Sequence, residues 1–307
     1  MDTIRDLVTL FFFPGGLFVL ALGMSYEWVD RKLMARVQNR VGPRWFQPFA
    51  DIAKLLTKEE VIPLDGNGLL FLGLPIVALA GALTSALYVP VAGWHPAYSF
   101  QGDLIVALYL LSLLTLCTGL AGANTSDHFS LVGATRTLTQ LFSYEAPFLL
   151  AMLGPAVMAH TWQINEIIAD ADGRWMLFLQ PIGFIVALIG LLGKLEMSPF
   201  NAPEAETEIV AGALTEYSGR GLALFRLGRH VELVIGLTMV AAFYMGGVNG
   251  LPMFVLKTLI LLLGLVGIQS LVARLRIDQT VGLWWRWGSL LVLAQWLVLV
   301  VWEGVQA

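Results

Sequence analysis

The sequence of 307 residues is poor in charged side chains and nearly free of cysteine. Only 13% of its residues are Asp, Glu, Lys or Arg, whereas about 25% is usual for a soluble domain. The single cysteine, Cys117, cannot form an internal disulfide and cannot hold an iron–sulfur cluster alone. The net charge of −4 gives no reason to expect nucleic-acid binding. With 57% hydrophobic residues, the composition instead indicates an integral membrane protein.

Recognisable catalytic, metal-binding and nucleotide-binding motifs are also missing. The four histidines are scattered without metal-ligand spacing, and there is no Walker loop or dinucleotide fingerprint. The glycines around Asn67 lack the strand–turn–helix setting that a fingerprint needs. We therefore expect no catalytic residue and no metal or cofactor bound by this chain. If the protein takes part in redox chemistry, the cofactors are expected on its partners.

Eight apolar runs approach or exceed the length that crosses a bilayer, which is about 20 residues. They cover roughly 7–29, 69–91, 103–123, 144–161, 176–195, 231–249, 251–272 and 284–302. No internal repeat or low-complexity segment stands out. The expected fold is an all-α membrane protein, a bundle of about eight transmembrane helices forming a single integral membrane domain over residues 1–307.

Basic residues are unequally divided between the two sides of this bundle. The loops after the first, third, fifth and seventh runs hold 15 of the 18 lysines and arginines. Because cytoplasmic loops carry an excess of basic residues, these loops are predicted to be cytoplasmic and both termini to lie outside. The chain is thus expected in the cell's inner (cytoplasmic) membrane, with two large cytoplasmic loops, 30–68 and 196–230.

The first large loop combines basic and aromatic residues. Seven lysines and arginines fall between Arg31 and Lys58, more than orientation requires, and Trp45 and Phe46 lie among them. This run could bind anionic lipid, dock a soluble subunit or border a quinone headgroup. Within it, helical spacing of apolar residues predicts a short amphipathic helix over 48–59 in the membrane interface. Its apolar face is predicted to carry Phe49, Ile52, Ala53 and Leu56.

The second large loop is acidic. Its core, "SPFNAPEAETEIVAGALTEYSG" (198–219), holds four glutamates and no lysine or arginine: Glu204, Glu206, Glu208 and Glu216. Pro203 can open a helix on which Glu204 and Glu208 share a face and repel each other. Clustering and partial burial raise carboxyl pKa values towards neutrality, as a proton relay requires. The alternative interpretation is a solvated acidic loop.

Two further glutamates lie at the ends of apolar runs. Glu145 begins the fourth run, where an ionisable residue costs about 2.5–3.5 kcal/mol and is by default a functional candidate. Glu196 ends the fifth run, and Lys194 is too near in sequence to be its facing partner on a helix. Glu232 opens the sixth run and is interpreted equally well as a helix-end residue. The predicted carboxylate chain into the bilayer comprises Glu145, Glu196, Glu204, Glu206, Glu208 and Glu216.

Two long segments carry a family resemblance. "DRKLMARVQNRVGPRWFQPFADIAKLLTKEEVIP" (30–63) and "SPFNAPEAETEIVAGALTEYSGRGLALF" (198–225) resemble the signature segments of the heel subunit of respiratory complex I. The same subunit recurs in membrane-bound group 4 [NiFe]-hydrogenases. The resemblance implies that the six glutamates lie along the family's hydrated glutamate path. It also places Arg36, Arg40, Trp45 and Phe46 at the junction with the peripheral arm, which borders the quinone chamber in quinone-reducing members.

Differences from the quinone-reducing members favour the hydrogenase branch. The first segment is compact, passing from Pro43 to Gln47 after three residues. Asn201 stands where the family usually has aspartate, and Arg229 and His230 stand where quinone enzymes usually have Glu-Tyr.

The function implied by the resemblance is a non-catalytic heel subunit of an ion-translocating oxidoreductase. Its partners would be peripheral redox subunits, antiporter-like and small membrane subunits, and membrane lipid. Iron–sulfur clusters, and a nickel–iron centre or a quinone, would lie on or with those partners. The alternatives are the heel subunit of a quinone oxidoreductase, a stand-alone proton-coupled transporter and a purely structural anchor. The transporter is disfavoured because no internal symmetry is found.

Overall fold

The structure, a computed structural model, describes residues 11–13, 15–64, 66–94 and 96–306, with side chains to residue 301. Regular structure in these ranges is entirely helical. The helices are α1 Gly16–Val37, α2 Gln47–Thr57, α3 Gly68–Ser85, α4 Asp103–Ala123, α5 His128–Met158, α6 Ile164–Ala171, α7 Met176–Leu179, α8 Pro181–Lys194, α9 Glu206–Ile209, α10 Gly219–Tyr244, α11 Gly250–Leu271, α12 Ile277–Leu283 and α13 Ser289–Gln306. A π-helical segment, Trp284–Gly288, joins α12 to α13.

The predicted all-α membrane fold is confirmed. Within the described ranges, six helices are long and apolar enough to cross a membrane: α3, α4, α5, α10, α11 and the continuous α12–α13. The fifth predicted run is divided into α7 and the 14-residue α8. The first run corresponds to α1, although its residues 7–10 and Pro14 lie outside the described part. Each of the eight predicted runs therefore has a helical counterpart.

Two of the predicted boundaries are wrong by several turns. The helix of the fourth predicted run, α5, begins at His128 instead of residue 144. Asp127 caps its start, because its side chain accepts a hydrogen bond from the Ser130 N–H at 2.9 Å. The sixth, α10, begins at Gly219 instead of residue 231. Both helices therefore extend beyond their apolar runs, into stretches that also carry polar and charged residues. Hydropathy alone therefore located the apolar part of each helix but not its end.

Proline inside α5 is compensated by a neighbouring helix. Pro155 has no N–H to donate to the carbonyl of Ala151, four residues earlier. The hydroxyl of Tyr244 at the end of α10 donates to that carbonyl instead, at 2.6 Å. In a bilayer such a freed backbone group must find a protein partner, and this contact ties α5 to α10.

Helix α10 is the centre of the bundle. Its spanning window is 94% buried, and it contacts α1, α2, α3 and α11. Glycines allow these close approaches: a Cβ on Gly23 would lie 2.5 Å from the His230 carbonyl oxygen, and one on Gly236 would lie 2.3 Å from Leu191. Polar side chains carried by α10 are consequently held away from lipid.

The predicted amphipathic helix is present as α2, and protein covers one of its sides. Pro48, Ile52 and Leu55 are turned inwards, and α2 packs against α10 and α1. Of the predicted apolar face, Ile52 is buried by protein, whereas Ala53 and Leu56 are exposed, as residues that face lipid would be. The helix carries apolar residues on two sides, and contact with α10 decides which side is buried.

The acidic loop before α10 is folded against three helices. Gly212 has a φ of +58°, and a Cβ there would lie 2.0 Å from the Pro203 carbonyl oxygen, so the loop closes on itself. The adjoining Ala213 backbone presses on Gly133 of α5. Tyr217 stacks on Phe71 of α3 with ring centroids 4.1 Å apart. The loop is thus a fixed support for its glutamates.

Replacing Gly133 with alanine is expected to loosen this loop. A Cβ at residue 133 would lie 2.2 Å from the Ala213 backbone nitrogen, which cannot move without displacing the loop. We expect a destabilisation of roughly 1–3 kcal/mol, as for other overpacking changes. Gly73→Ala in α3 is the matched control, because no atom lies within 4 Å of its Cβ position. Equal thermal stability of the two variants in detergent would contradict the docking described here.

Candidate functional site

Arg229 of α10 lies between two carboxylates. It donates from Nη1 to Glu204 and from Nη2 to Glu196. The Glu196 side chain is 3% exposed, whereas that of Glu204 is 37% exposed. Glu196 follows the end of α8, and its φ of +53° turns the chain there. Because of this turn, Glu196 pairs with Arg229 whereas Lys194 pairs with Glu145. The prediction that Lys194 does not pair with Glu196 is thereby confirmed.

Lys194 forms a second, deeper cluster. Its Nζ lies 3.8 Å from Glu145 Oε2 and 3.9 Å from Glu232 Oε1, and its side chain is fully buried. It also donates to Ser112 Oγ at 2.9 Å, and Ser112 in turn donates to Glu145. The rings of Tyr144 and Phe148 close the site, each with its centroid 5.7 Å from Nζ. Four helices, α4, α5, α8 and α10, therefore meet at one ammonium group.

The two clusters are neighbours along α10. Arg229 and Glu232 are three residues apart, so their side chains share one face of that helix. Along the bundle, the order of charges is Glu204, Arg229, Glu196, Glu232, Lys194 and Glu145. Four carboxylates thus share two cations, and two negative charges would remain if all were ionised. Uncompensated charge in a low-dielectric interior is costly, so this excess of acids over cations makes full ionisation of the two clusters unfavourable.

Several carboxyl oxygens of the deeper cluster have no hydrogen-bond donor. Glu145 Oε2 and both oxygens of Glu232 are buried without a hydrogen-bond partner among the described residues. A buried oxygen in this position is satisfied by a proton or by water. These oxygens therefore leave room for a further donor beside the Lys194 ammonium group.

A polar cavity of about 490 Å³ adjoins the Arg229 cluster. Its wall comes from α1, the acidic loop, α10 and α11. The charged lining residues and the lining histidine are Glu27, Asp30, Arg31, Glu196, Glu204, Glu206, Arg226, Arg229 and His230. Walls with this many charges suit water, and Glu196 and Glu204 are part of these walls.

The six glutamates of the predicted path lie in different surroundings. Glu145, Glu196 and Glu204 belong to the two clusters, and Glu206 lines the cavity with an exposed side chain. Glu216 is exposed and is not among the residues lining that cavity. Glu208 is exposed, and Arg136 and Arg274 pair with it at 2.7 and 3.0 Å. The hydrogen bond from Arg136, helped by the charge of Arg274, lowers the pKa of Glu208 below its ordinary value.

The predicted helix opened by Pro203 is wrong. Helix α9 begins at Glu206, and Glu204 lies in the preceding turn. Glu204 and Glu208 therefore do not share a helix face, and they pair with different arginines. The acidic loop is also not a loop of unpaired charge, because arginines from other segments reach it.

The predicted junction residues form a separate exposed surface. Arg36, Arg40, Trp45 and Phe46 are exposed, and none of them lines the polar cavity. The Trp45 and Phe46 rings are in contact at 5.8 Å between centroids, and Trp45 is 68% exposed.

Sequence reasoning missed the cations and one carboxylate of the site. From the sequence, Lys194 is only a poor partner for Glu196, and Arg229 is only a difference from a family pattern. Lys194 and Glu232 each lie inside or beside an apolar run, which is itself a signal of function. The three-residue spacing of Arg229 and Glu232 was a second available signal.

The carboxyl of Glu196, which lines the polar cavity, is expected to titrate near neutrality. Glu196 lies after α8, outside the spanning helices, and its burial raises the pKa of its carboxyl from 4.5 to about 7, with Arg229 opposing the rise and Glu204 adding to it. Glu196 should therefore be protonated below about pH 7 and ionised above it. Infrared difference spectra should show a protonated-carboxyl band that disappears as the pH rises through this value. The band should be missing in Glu196→Gln and present in Glu216→Gln, and its persistence in Glu196→Gln would contradict the assignment.

Comparison with known proteins agrees with this architecture. The chain matches the NADH dehydrogenase family model over residues 10–301. It is similar to the H subunit of NADH-quinone oxidoreductase from Carboxydothermus hydrogenoformans, with 33% identity over 88% of this chain and 81% of that protein. The corresponding protein of Dehalococcoides mccartyi strain CBDB1 is 32% identical over 93% of this chain and 84% of its own length.

A solved structure shares the fold. A chain of the membrane-bound sulfane sulfur reductase, an archaeal respiratory membrane complex, superposes with a TM-score of 0.84 at 22% sequence identity. The match covers 95% of this chain and 97% of that chain. The resemblance drawn from the two loop segments is confirmed, and the chain belongs to the NADH dehydrogenase family.

Proposed function

We propose that this chain is the heel subunit of a complex I-like respiratory assembly in the cytoplasmic membrane. As one integral membrane unit, it connects peripheral redox subunits to ion-pumping membrane subunits and carries a proton path between them. The observation that carries the proposal is the chain of four carboxylates and two cations running from a polar cavity into the bundle. The chain itself catalyses no reaction.

The outer part of the path responds to charge at the cavity. Arg229 is held by both Glu196 and Glu204, and the Glu196 carboxyl has a pKa near neutrality. When Glu196 takes up a proton, Arg229 loses one of its two anionic partners and its charge acts more strongly on Glu232, one turn away. A change of charge in a docked redox subunit would shift this balance in the same way.

The inner part of the path transmits the change through Lys194. The ammonium group lies just under 4 Å from Glu145 and from Glu232. At that separation a pair of charges interacts by about 4 kcal/mol at an effective dielectric constant of 20. Protonation of Glu232 would therefore leave the charge of Lys194 to Glu145 alone, so that a change at one carboxyl acts on the next.

The exposed basic and aromatic residues of the first large loop would dock the peripheral subunits. We name the surface of Arg36, Arg40, Arg44, Trp45 and Phe46 the junction surface. The side chain of Val41, which follows Arg40, is also open and is 92% exposed. Exposed apolar groups among arginines are typical of a protein contact.

The proposed partners follow from this placement. The peripheral subunits would hold iron–sulfur clusters, and antiporter-like and small membrane subunits would receive the protons. The compact first segment and the charged walls of the cavity favour the membrane-bound hydrogenase branch, because a long apolar quinone tail is poorly accommodated by such walls.

A quinone-reducing complex is the second candidate. It is favoured by the relatives of 30–33% identity, each of which is named as the H subunit of NADH-quinone oxidoreductase. The set of subunits that co-purifies with the chain distinguishes the two candidates. A large subunit carrying four nickel-ligating cysteines would assign the hydrogenase branch.

The proton path is tested by charge-neutral variants of its carboxylates. Glutamine keeps the size and hydrogen bonding of glutamate but cannot carry a proton. Glu145→Gln, Glu196→Gln and Glu232→Gln should leave the complex assembled and lower proton uptake into reconstituted vesicles by roughly 100-fold or more. Glu216→Gln makes the same chemical change at an exposed site of the acidic loop and should pump normally. Normal pumping by all three path variants would refute the relay.

The docking role is tested at the junction surface. Replacing Arg36, Arg40 and Arg44 together with glutamine should release the peripheral subunits during detergent extraction, as seen on native gels. Arg40→Gln alone should weaken attachment less, and Arg220→Gln, which removes one exposed positive charge at the start of α10, is the single-charge control. Unchanged attachment accompanied by loss of bound anionic lipid would instead make this surface a lipid site.

A further inference from the structure

A groove at the start of α12 lies apart from the proton path and the junction surface. Two adjoining cavities, of about 450 and 440 Å³, share Leu275 and Asp278 in their walls. The groove is built from the connection between α11 and α12 and the first turns of α12, with Arg136 of α5 on its other side. The backbone N–H of Leu275 donates to the Pro199 carbonyl at 3.0 Å, which holds the connection against the acidic loop.

The groove has an excess of positive charge. Four arginines line it, namely Arg136, Arg274, Arg276 and Arg286, against two carboxylates, Glu208 and Asp278. Glu208 is shared by Arg136 and Arg274, and Arg276 lies 3.3 Å from Asp278. Arg286 has no ion-pair partner among the described side chains. An anionic group in the groove would therefore neutralise positive charge that the two carboxylates do not compensate.

The membrane side of the groove is shaped by the π-helical segment. Trp284 points inwards onto Phe200, with ring centroids 5.4 Å apart, while the next three residues are all exposed. Trp285 is 56% exposed and Trp287 62% exposed, with Arg286 between them. Tryptophan favours the membrane interface, and arginine extends towards headgroups, so this triplet marks the headgroup level. Rare π-helical turns are frequent at functional sites.

Apolar surface continues from the groove down the spanning helix. Leu283 lines the groove, and Leu290 is 62% exposed on the lipid side of α13. A phosphate bound at the arginines would thus lie directly above a hydrocarbon-facing stripe. A soluble protein would not follow this stripe into the bilayer, and a free phosphate ion would not use it.

We propose that this groove binds one anionic phospholipid. Its phosphate contacts Arg274, Arg276 and Arg286, and one acyl chain follows Trp287 and Leu290. Basic pockets between spanning helices on the cytoplasmic side are suited to such headgroups. Because Arg274 also holds Glu208, the bound phosphate competes with that glutamate and links lipid occupancy to the acidic loop.

The test uses the whole complex, purified through this chain and placed in nanodiscs of phosphatidylcholine with increasing phosphatidylglycerol. Each arginine near an anionic headgroup contributes about 1 kcal/mol, so Arg276→Gln with Arg286→Gln should weaken phosphatidylglycerol binding roughly 30-fold. The matched control is Arg174→Gln with Arg220→Gln, which removes two exposed positive charges elsewhere. Native mass spectrometry counts the retained lipid. Equal retention by the two double variants overturns the proposal.

Two further arms separate a lipid from a free anion. Trp287→Ala should weaken phosphatidylglycerol retention, because the acyl chain contacts the tryptophan. The same change should leave the binding of inorganic phosphate unchanged, because the phosphate contacts only the arginines. If inorganic phosphate displaces the lipid at equal concentration, the site recognises a free anion and the lipid assignment fails. Retention of phosphatidylcholine equal to that of phosphatidylglycerol also overturns it, since the arginines would then select nothing.

Discussion

The pairing of buried charge around α10 is the constraint on which the rest of this structure depends. Two cations, Lys194 and Arg229, are shared by four carboxylates in a bundle whose central helix is almost entirely enclosed. Removing one partner of a buried pair costs about 3–5 kcal/mol, because the remaining charge is left uncompensated. The helices that supply these side chains must therefore keep their positions. A site with more acids than cations also cannot be fully ionised at low cost, which makes it sensitive to protons.

The architecture supports this site from outside as well. The acidic loop closes through Gly212 and presses on Gly133, so Glu196 and Glu204 are presented to Arg229 from a fixed backbone. Tyr244 restores the hydrogen bond that Pro155 removes and so fastens the far end of α10 to α5. Small residues and a proline, which weaken isolated helices, are used here where close packing or a side-chain donor compensates for them.

Both large loops lie on the face that the charge distribution predicts to be cytoplasmic, and they serve different purposes. The first remains largely exposed, with arginines and aromatic rings directed away from the bundle. The second is folded into the bundle and carries charge inwards. Under the proposed function, this division would let one subunit contact soluble partners and still influence protons held inside the bundle. The proposed lipid groove at α12 would be a third contact, joined to the second loop through Glu208 and Arg274.

The sequence by itself determined the fold class, the eight helical runs, the amphipathic helix and the family, because each depends on local composition or on contiguous motifs. It also identified Glu145 and Glu196 as unusual, since charge beside an apolar run is costly wherever it lies, and it identified Glu204 as part of an acidic cluster. Only the tertiary structure decided which charges pair. Ser112 and Lys194 are 82 residues apart, and Arg229 lies 25 and 33 residues from its two partners. It also decided which face of α2 is buried and separated Glu204 from Glu208. Hydropathy records the cost of a charge in the membrane, but the packing of distant helices determines how that cost is met.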